Sequence, residues 1–370
     1  TIIAVDGRPV SRQAQLRHRI VSRYAGDEVT IGARRGTEKL ERRLTLVREL
    51  PPYERPMLGL LPMRDPSAGG VEVRAVDAGG PAEKAGVRPG DRITAIDSKP
   101  IKKRDDLIAQ LAGKSVGDTV SVKVTRGSES LALPVPLAAW NASVSPTLPA
   151  ARKQAGELPA ERPAVGEVKI SIPEFKNECT AYVPDNNDPR VAYGVVVWPQ
   201  AANKSPGAEL IDAWKELAEA NDLILLVPRS AEREGWKPGE AEFIRKALAE
   251  VIEKYNVEPA RTIVYAADTS APIAWRSALA LGGVVSGLVA VDAPPPPGVQ
   301  LPSSDPGRPL AVYVARFADS PSARRLDATV RDLRAKKHSV TVKDLPGRVS
   351  AFNEAQREEL VRWIDVLDRL

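Results

Sequence analysis

The sequence is 370 residues long, enough for two or three domains with at least one sizeable core. Its formal charge of +5 is small for that length; the arginines crowding its first part (Arg34-Arg35, Arg42-Arg43) are mixed with acids and lack aromatic companions, a solvated basic face that argues against nucleic-acid binding. A single cysteine, Cys179, excludes an internal disulfide framework and a zinc ribbon, and no apolar run is long enough to span a membrane.

The chain opens on a repeat. Residues 1–10, TIIAVDGRPV, align without gaps on 92–101, RITAIDSKPI. The same offset carries Gly26-Asp27-Glu28-Val29 onto Gly117-Asp118-Thr119-Val120, and Arg35-Gly36 onto Arg126-Gly127. The first copy starts inside the motif, so it is expected to be the C-terminal half of a longer unit. It should hold a helix over Gln13 to Tyr24 and strands over Val29 to Arg35 and Lys39 to Val47. His18, flanked by Arg17 and Arg19 with no second ligand near, reads as a surface histidine.

The second copy runs from Pro56 to Leu137 and is complete. Its most informative segment is GGPAEKAGVRPGDRI, Gly79 to Ile93. Pro81 suits the first turn of a short helix, and Gly86 stands where the C-terminal cap favours a left-handed residue. Pro89-Gly90 makes a turn, and Asp91 precedes a strand over Ile93 to Asp97. A helix over Asp105 to Ala112 follows, then strands over Thr119 to Thr125 and Leu131 to Val135. This copy resembles PDZ domains of the bacterial HtrA/Deg type, above all in P-A-x-x-A-G-V-x-P-G-D-x-I.

The resemblance implies an α+β, partly open barrel whose peptide-binding loop opens the domain, here Leu58-Gly59-Leu60-Leu61. The physics of such a loop is plain. Its N–H groups form a nest for a C-terminal carboxylate, and the strand beginning at Leu60 offers an edge to an extended peptide. Ile108 and Leu111 are expected to line the helical wall opposite. The blander reading, that Leu60 and Leu111 are simply core, stays open at this point.

From Ala138 to Gly166 scattered Pro, Ala and Ser without periodicity read as a semi-extended, poorly ordered linker, with Trp140 anchoring its start. Beyond it strands and helices alternate as in a βαβ sheet. Strands are expected at Val168–Ile172, Glu178–Val183, Tyr193–Trp198, Leu223–Val227, Thr262–Ala266, Gly287–Val291, Leu310–Ala315 and Ser339–Leu345. Helices are expected at Glu209–Asn221, Gly239–Tyr255, Ser270–Leu281, Ala323–Ala335 and Asn353–Leu370. Continuously apolar strands imply burial on both faces, and right-handed crossovers then give a doubly wound sheet. Cys179, in an apolar strand, reads as a buried structural thiol.

This region is similar to small esterase-like α/β-hydrolases, though its motifs depart from theirs. In the family a G-x-S-x-G elbow joins strand to helix; here those five positions are Ala266, Ala267, Asp268, Thr269 and Ser270. The oxyanion loop becomes Trp198-Pro199-Gln200-Ala201, and Pro199 has no N–H to donate. Asp319 matches the family's acid. The stretch that should carry the base, Pro346 to Phe352, holds no histidine, and the chain's other histidine, His338, falls at the far end of the last strand. A Ser-His-Asp relay therefore cannot be assembled, and the domain is expected to be inactive. The rival is an aspartate nucleophile, Asp268 forming an ester intermediate, which still needs a histidine to activate water. Asp185-Asn186-Asn187-Asp188 looks like a calcium loop but lacks the Gly and distal Glu, and reads as a polar turn.

The expectation is thus a multidomain chain: half a PDZ domain over 1–50, a complete one over 56–137, a linker over 138–166, and a doubly wound α/β-hydrolase-like domain over 167–370. It is expected to bind peptides or protein C-termini through Leu58, Gly59, Leu60, Leu61, Ile108 and Leu111. It needs no cofactor or metal and carries only the vestigial Asp268 and Asp319; self-association is left open. Two other classes compete: an active hydrolase using Asp268, and a structural scaffold. The HtrA/Deg resemblance further implies a periplasmic or envelope setting and a trypsin-like serine endopeptidase domain ahead of Thr1 in the parent protein.

Overall fold

Alternating side chains decide the layering. In the computed structural model, which describes residues 1–35, 37–48, 53–65, 69–153, 158–202, 207–305, 310–317, 319–346 and 352–370, the chain divides into two compact units, Thr1–Pro52 and Tyr53–Leu370.

In the first unit β1 (Ile2–Val5), β2 (Arg8–Pro9), α1 (Gln13–Ile20), β3 (Glu28–Arg35) and β4 (Glu38–Thr45) give an antiparallel sheet in the order β2-β1-β3-β4. Its core is thin. Among its described residues the buried apolar side chains are Val5, Val10 and Val29, while Val21 and Tyr24 are about four-fifths exposed.

The second unit begins with β5 (Pro56–Met57), β6 (Leu60–Pro62), β7 (Val71–Val76), α2 (Pro81–Lys84), β8 (Arg92–Ile96), β9 (Lys99–Pro100), α3 (Arg104–Leu111), β10 (Thr119–Arg126), β11 (Glu129–Pro136) and β12 (Ala138–Ala139). The main sheet runs β11-β10-β8-β7-β6, with β9 beside β8, and among the described residues no sheet closes into a barrel. Pro81 opens α2, and Gly86 (φ +90°) and Gly90 (φ +87°) take the left-handed positions that a cap and a turn require. Buried Asp91 ties this corner together by accepting from Arg126 Nε (2.7 Å) and the Arg88 amide (2.9 Å).

The repeat survives in the hydrogen bonds. Asp6 and Asp97 share φ +47°, and their carboxylates accept from the amides of Thr30 and Ser121 respectively. Likewise Gly26 donates to Leu46 O while Gly117 donates to Leu137 O (2.7 and 2.9 Å). Asp27 and Asp118 each accept from the amide three residues earlier.

The α/β region contains β13 (Gly166–Lys169), β14 (Cys179–Val183), β15 (Tyr193–Val197), α4 (Gly207–Asn221), β16 (Leu223–Pro228), α5 (Ala241–Lys254), β17 (Val257–Ala267), α6 (Ala271–Ala280), β18 (Gly287–Val291), β19 (Ala311–Phe317), α7 (Ala323–Ala335), β20 (Ser339–Leu345) and α8 (Glu354–Val366). Its sheet runs β13-β14-β16-β15-β17-β18-β19-β20, parallel from β16 through β20, with β13 and β14 antiparallel at one edge. Successive residues point to opposite faces. Val195, Val197, Val264 and Val312 join the core under α5, α6 and α7; Val196, Ile263, Tyr265 and Tyr313 join the core under α4 and α8. Helices on both faces explain why these strands are apolar throughout. Cys179 is buried on β14, and burial pushes its thiol up.

Two expectations fail. Residues 138–151 are laid down and not loose: Trp140 N donates to Arg55 O, Ala142 N to Ser339 Oγ, Arg74 Nε to Pro149 O and Arg64 N to Ala151 O. The last helix stops at Val366 and not at Leu370: the amides of Leu367, Asp368 and Arg369 still donate three residues back, to Ile364, Asp365 and Val366 O, and Leu370 N turns away to Leu60 O (2.9 Å).

Candidate peptide-binding site

The loop between β5 and β6 is shaped by one glycine. Gly59 holds φ +79°, where a side chain is strained, and a Cβ there would lie 2.9 Å from Pro81 Cδ of α2. The loop is pinned from behind: Ala82 N donates to Leu58 O (2.9 Å), and Asp77 N donates to Gly59 O (2.9 Å). Leu58, Leu60 and Leu61 point into protein and are at most 2% exposed. On the facing helix Leu107 and Leu111 are buried and Ile108 is half-buried against the same cluster. All six residues singled out from sequence therefore lie on this loop or this helix, and Leu107 was missed because its spacing resembles ordinary core.

Gly59 and Leu60 turn their amides onto a single atom. Both donate to the main-chain oxygen of Leu370 (2.9 and 3.2 Å), while Leu370 N donates to Leu60 O (2.9 Å). Leu370 is 2% exposed and belongs to the cluster that contains Leu58, Leu60, Leu107 and Leu111. The residues before it are held as firmly. Arg369 is buried, its Nε lies 3.0 Å from Asp77 Oδ1, and its other guanidinium nitrogens donate to Asn141 O and Ser143 O (2.8 Å each). Asp368 pairs with Arg104 at the start of α3. Burial raises the Asp77 carboxyl, and Arg369 works against that rise. No sequence pattern marked these residues: an apolar residue after a helix looks like its last turn.

Sequence comparison covers this region. Residues 56–137 match the family described as "PDZ domain". They are a PDZ domain. Within the chain, 67 residues are 42% identical to Protease Do-like 8, chloroplastic, from Arabidopsis thaliana, covering 15% of the chain and 15% of that protein. Another 63-residue match is 38% identical to a probable periplasmic serine endoprotease DegP-like from Rhizobium meliloti, covering 17% and 12%. Among solved structures, the HtrA-type protease AlgW with decapeptide aligns at 25% identity and TM-score 0.22, over 24% of this chain and 30% of that one. The chain thus spans well under a fifth of the length of these curated relatives.

A second concavity, a cleft of about 880 Å³, lies where β15, β17, β18 and β19 end. Its wall includes Trp198 stacked on Tyr265 (centroids 3.8 Å apart), with Trp214, Phe317 and Phe352. Asp268 stands in it with φ +49°, the strained turn between β17 and α6. Of the parts expected for catalysis, Trp198, Gln200 and Ser270 line the cleft with Asp268, and Asp319 and His338 do not. Gln200 N is engaged by Pro228 O (2.9 Å). Asp319 is exposed and is not among the residues lining the cleft; the neighbouring carboxylate there is Asp292. His338 is buried elsewhere, its ring nitrogens against Leu310 O and Pro302 O. Positions 347–351 of the stretch searched for a base lie outside the described residues. Asp188 is paired with Arg190 (2.7 Å), and among the described residues no metal-holding cluster forms.

Proposed function

We propose that the PDZ domain binds the C-termini of proteins or peptides through Leu58–Leu61, with Ile108 and Leu111 on the opposite wall, and that the α/β region is a hydrolase scaffold kept for binding or assembly. The observation that carries the first part is the convergence of the Gly59 and Leu60 amides on one main-chain oxygen, with an edge strand beginning at Leu60. An envelope location is part of the same proposal, in keeping with the name of the periplasmic DegP-like relative. No described helix is long and apolar enough to cross a membrane.

Three features support the scaffold reading: the strand order, the left-handed Asp268 at the strand-to-helix turn, and a cleft at the carboxyl ends of the strands. His338, held against Leu310 O and Pro302 O and away from the cleft of Asp268, supports the reading of a scaffold without a base. Domain limits follow the same proposal: the half PDZ domain over 1–50, the linker over 138–166, the hydrolase-like domain over 167–370.

The test uses fluorescein-labelled five-residue peptides ending in Leu, with a free or an amidated terminus. The free acid should bind at least tenfold tighter, and equal affinities reject the carboxylate nest. A panel of ester and haloalkane substrates should show no turnover above buffer; turnover abolished by Asp268→Ala would restore the enzyme reading.

A further inference from the structure

We infer that Leu370 is a ligand of this chain's own PDZ groove, so that any partner must displace it. The inference rests on the peptide-binding reading and names its regulation.

Three observations meet. Leu60 and Leu370 exchange both main-chain hydrogen bonds (3.2 and 2.9 Å), the close pair of an antiparallel ladder. Gly59 adds a second donor to the same Leu370 oxygen (2.9 Å), so that two successive amides close on one acceptor as a main-chain nest does. The side chain completes the match: every other member of its buried cluster lies between Leu58 and Leu137, so Leu370 fills a PDZ cavity and not the core of the domain it leaves. The tail is presented from both sides, by Arg104 of α3 through Asp368 and by Asp77 through Arg369.

Tethering makes the contact competitive. A segment on its own chain acts at an effective concentration in the millimolar range. For a groove that binds free peptide at about 10 µM, that raises the apparent Kd by about 100-fold. The groove would open when something lifts residues 367–370, and the ligand class is then an extended terminus ending in an aliphatic residue.

The probe is a fluorescein-labelled peptide of the sequence of residues 366–370, VLDRL, with a free carboxylate. It is titrated into the full chain and into Leu370→Asp, each checked for an unchanged tryptophan spectrum. Leu370→Asp should bind at least tenfold tighter; equal tight binding by both overturns the self-ligand. A second readout needs no variant: amide hydrogen exchange at Gly59 and Leu60. Both amides should be protected in the unmodified chain without added peptide. Fast exchange there overturns the inference even if the variant does not fold. If neither protein binds VLDRL while those amides are protected, the cis contact stands and the proposed binding of partners falls.

Discussion

Gly59 shows how much can hang on one φ angle. At +79°, and with Pro81 Cδ 2.9 Å from where a Cβ would sit, alanine must either move α2 or abandon the loop conformation. A left-handed backbone costs an L residue about 1–2 kcal/mol, before any collision. Gly59→Ala is therefore expected to lower stability by about 1–3 kcal/mol in urea denaturation, and to free the Leu370 contact as the two amides shift. The glycine was legible from sequence because the loop is a family feature. Asp268 at the elbow position was legible too; that it takes φ +49° and stands in a cleft walled by Trp198 and Tyr265 was not.

At the level of elements, α8 carries the coupling between the PDZ sheet and the α/β region. Asp365 on α8 accepts two bonds from Arg74 of β7 (2.9 and 2.6 Å) and pairs with Arg64, which also meets Asp222 (3.1 Å). All of these side chains are buried. Burial alone would raise the Asp365 carboxyl; Arg64 first, then Arg74 and Arg261, hold it below the ordinary carboxylate value. A depressed folded value means the stabilisation is complete above the unfolded value of about 3.9, and is lost as pH falls through the folded one. Urea midpoints should therefore fall as the pH is taken below about 4, and the slope should shrink in Asp365→Asn. The same substitution, leaving two guanidinium groups short of a buried partner, is expected to cost about 3–5 kcal/mol at neutral pH.

For the whole molecule, the PDZ domain and the α/β region fall within one compact unit, Tyr53–Leu370. Arg152 on the connecting segment meets Asp222 (2.7 Å), and Arg104 of α3 meets Glu258, so charges from three stretches of chain share one interface. They are expected to unfold together. All six tryptophans lie between Trp140 and Trp363, outside the PDZ domain. Tryptophan fluorescence and hydrogen exchange of the PDZ strands should thus report the same denaturation midpoint, and midpoints more than about 1 M urea apart would contradict the coupling.

The sequence by itself determined the local and the periodic. The repeat, the turn at Pro89-Gly90, the capped helix at Pro81 and the doubly wound strands all follow from residue type and spacing, because those properties act over a few residues. Tertiary structure decided where distant segments meet. Nothing in Val366-Leu367-Asp368-Arg369-Leu370 forbids another helical turn; the chain tightens into three-residue turns over Leu367 to Arg369, and Leu370 leaves them for the main-chain partners that Gly59 and Leu60 offer. Long-range pairing of this kind leaves no periodic trace in the chain, since the two sides are matched by backbone atoms that every residue carries.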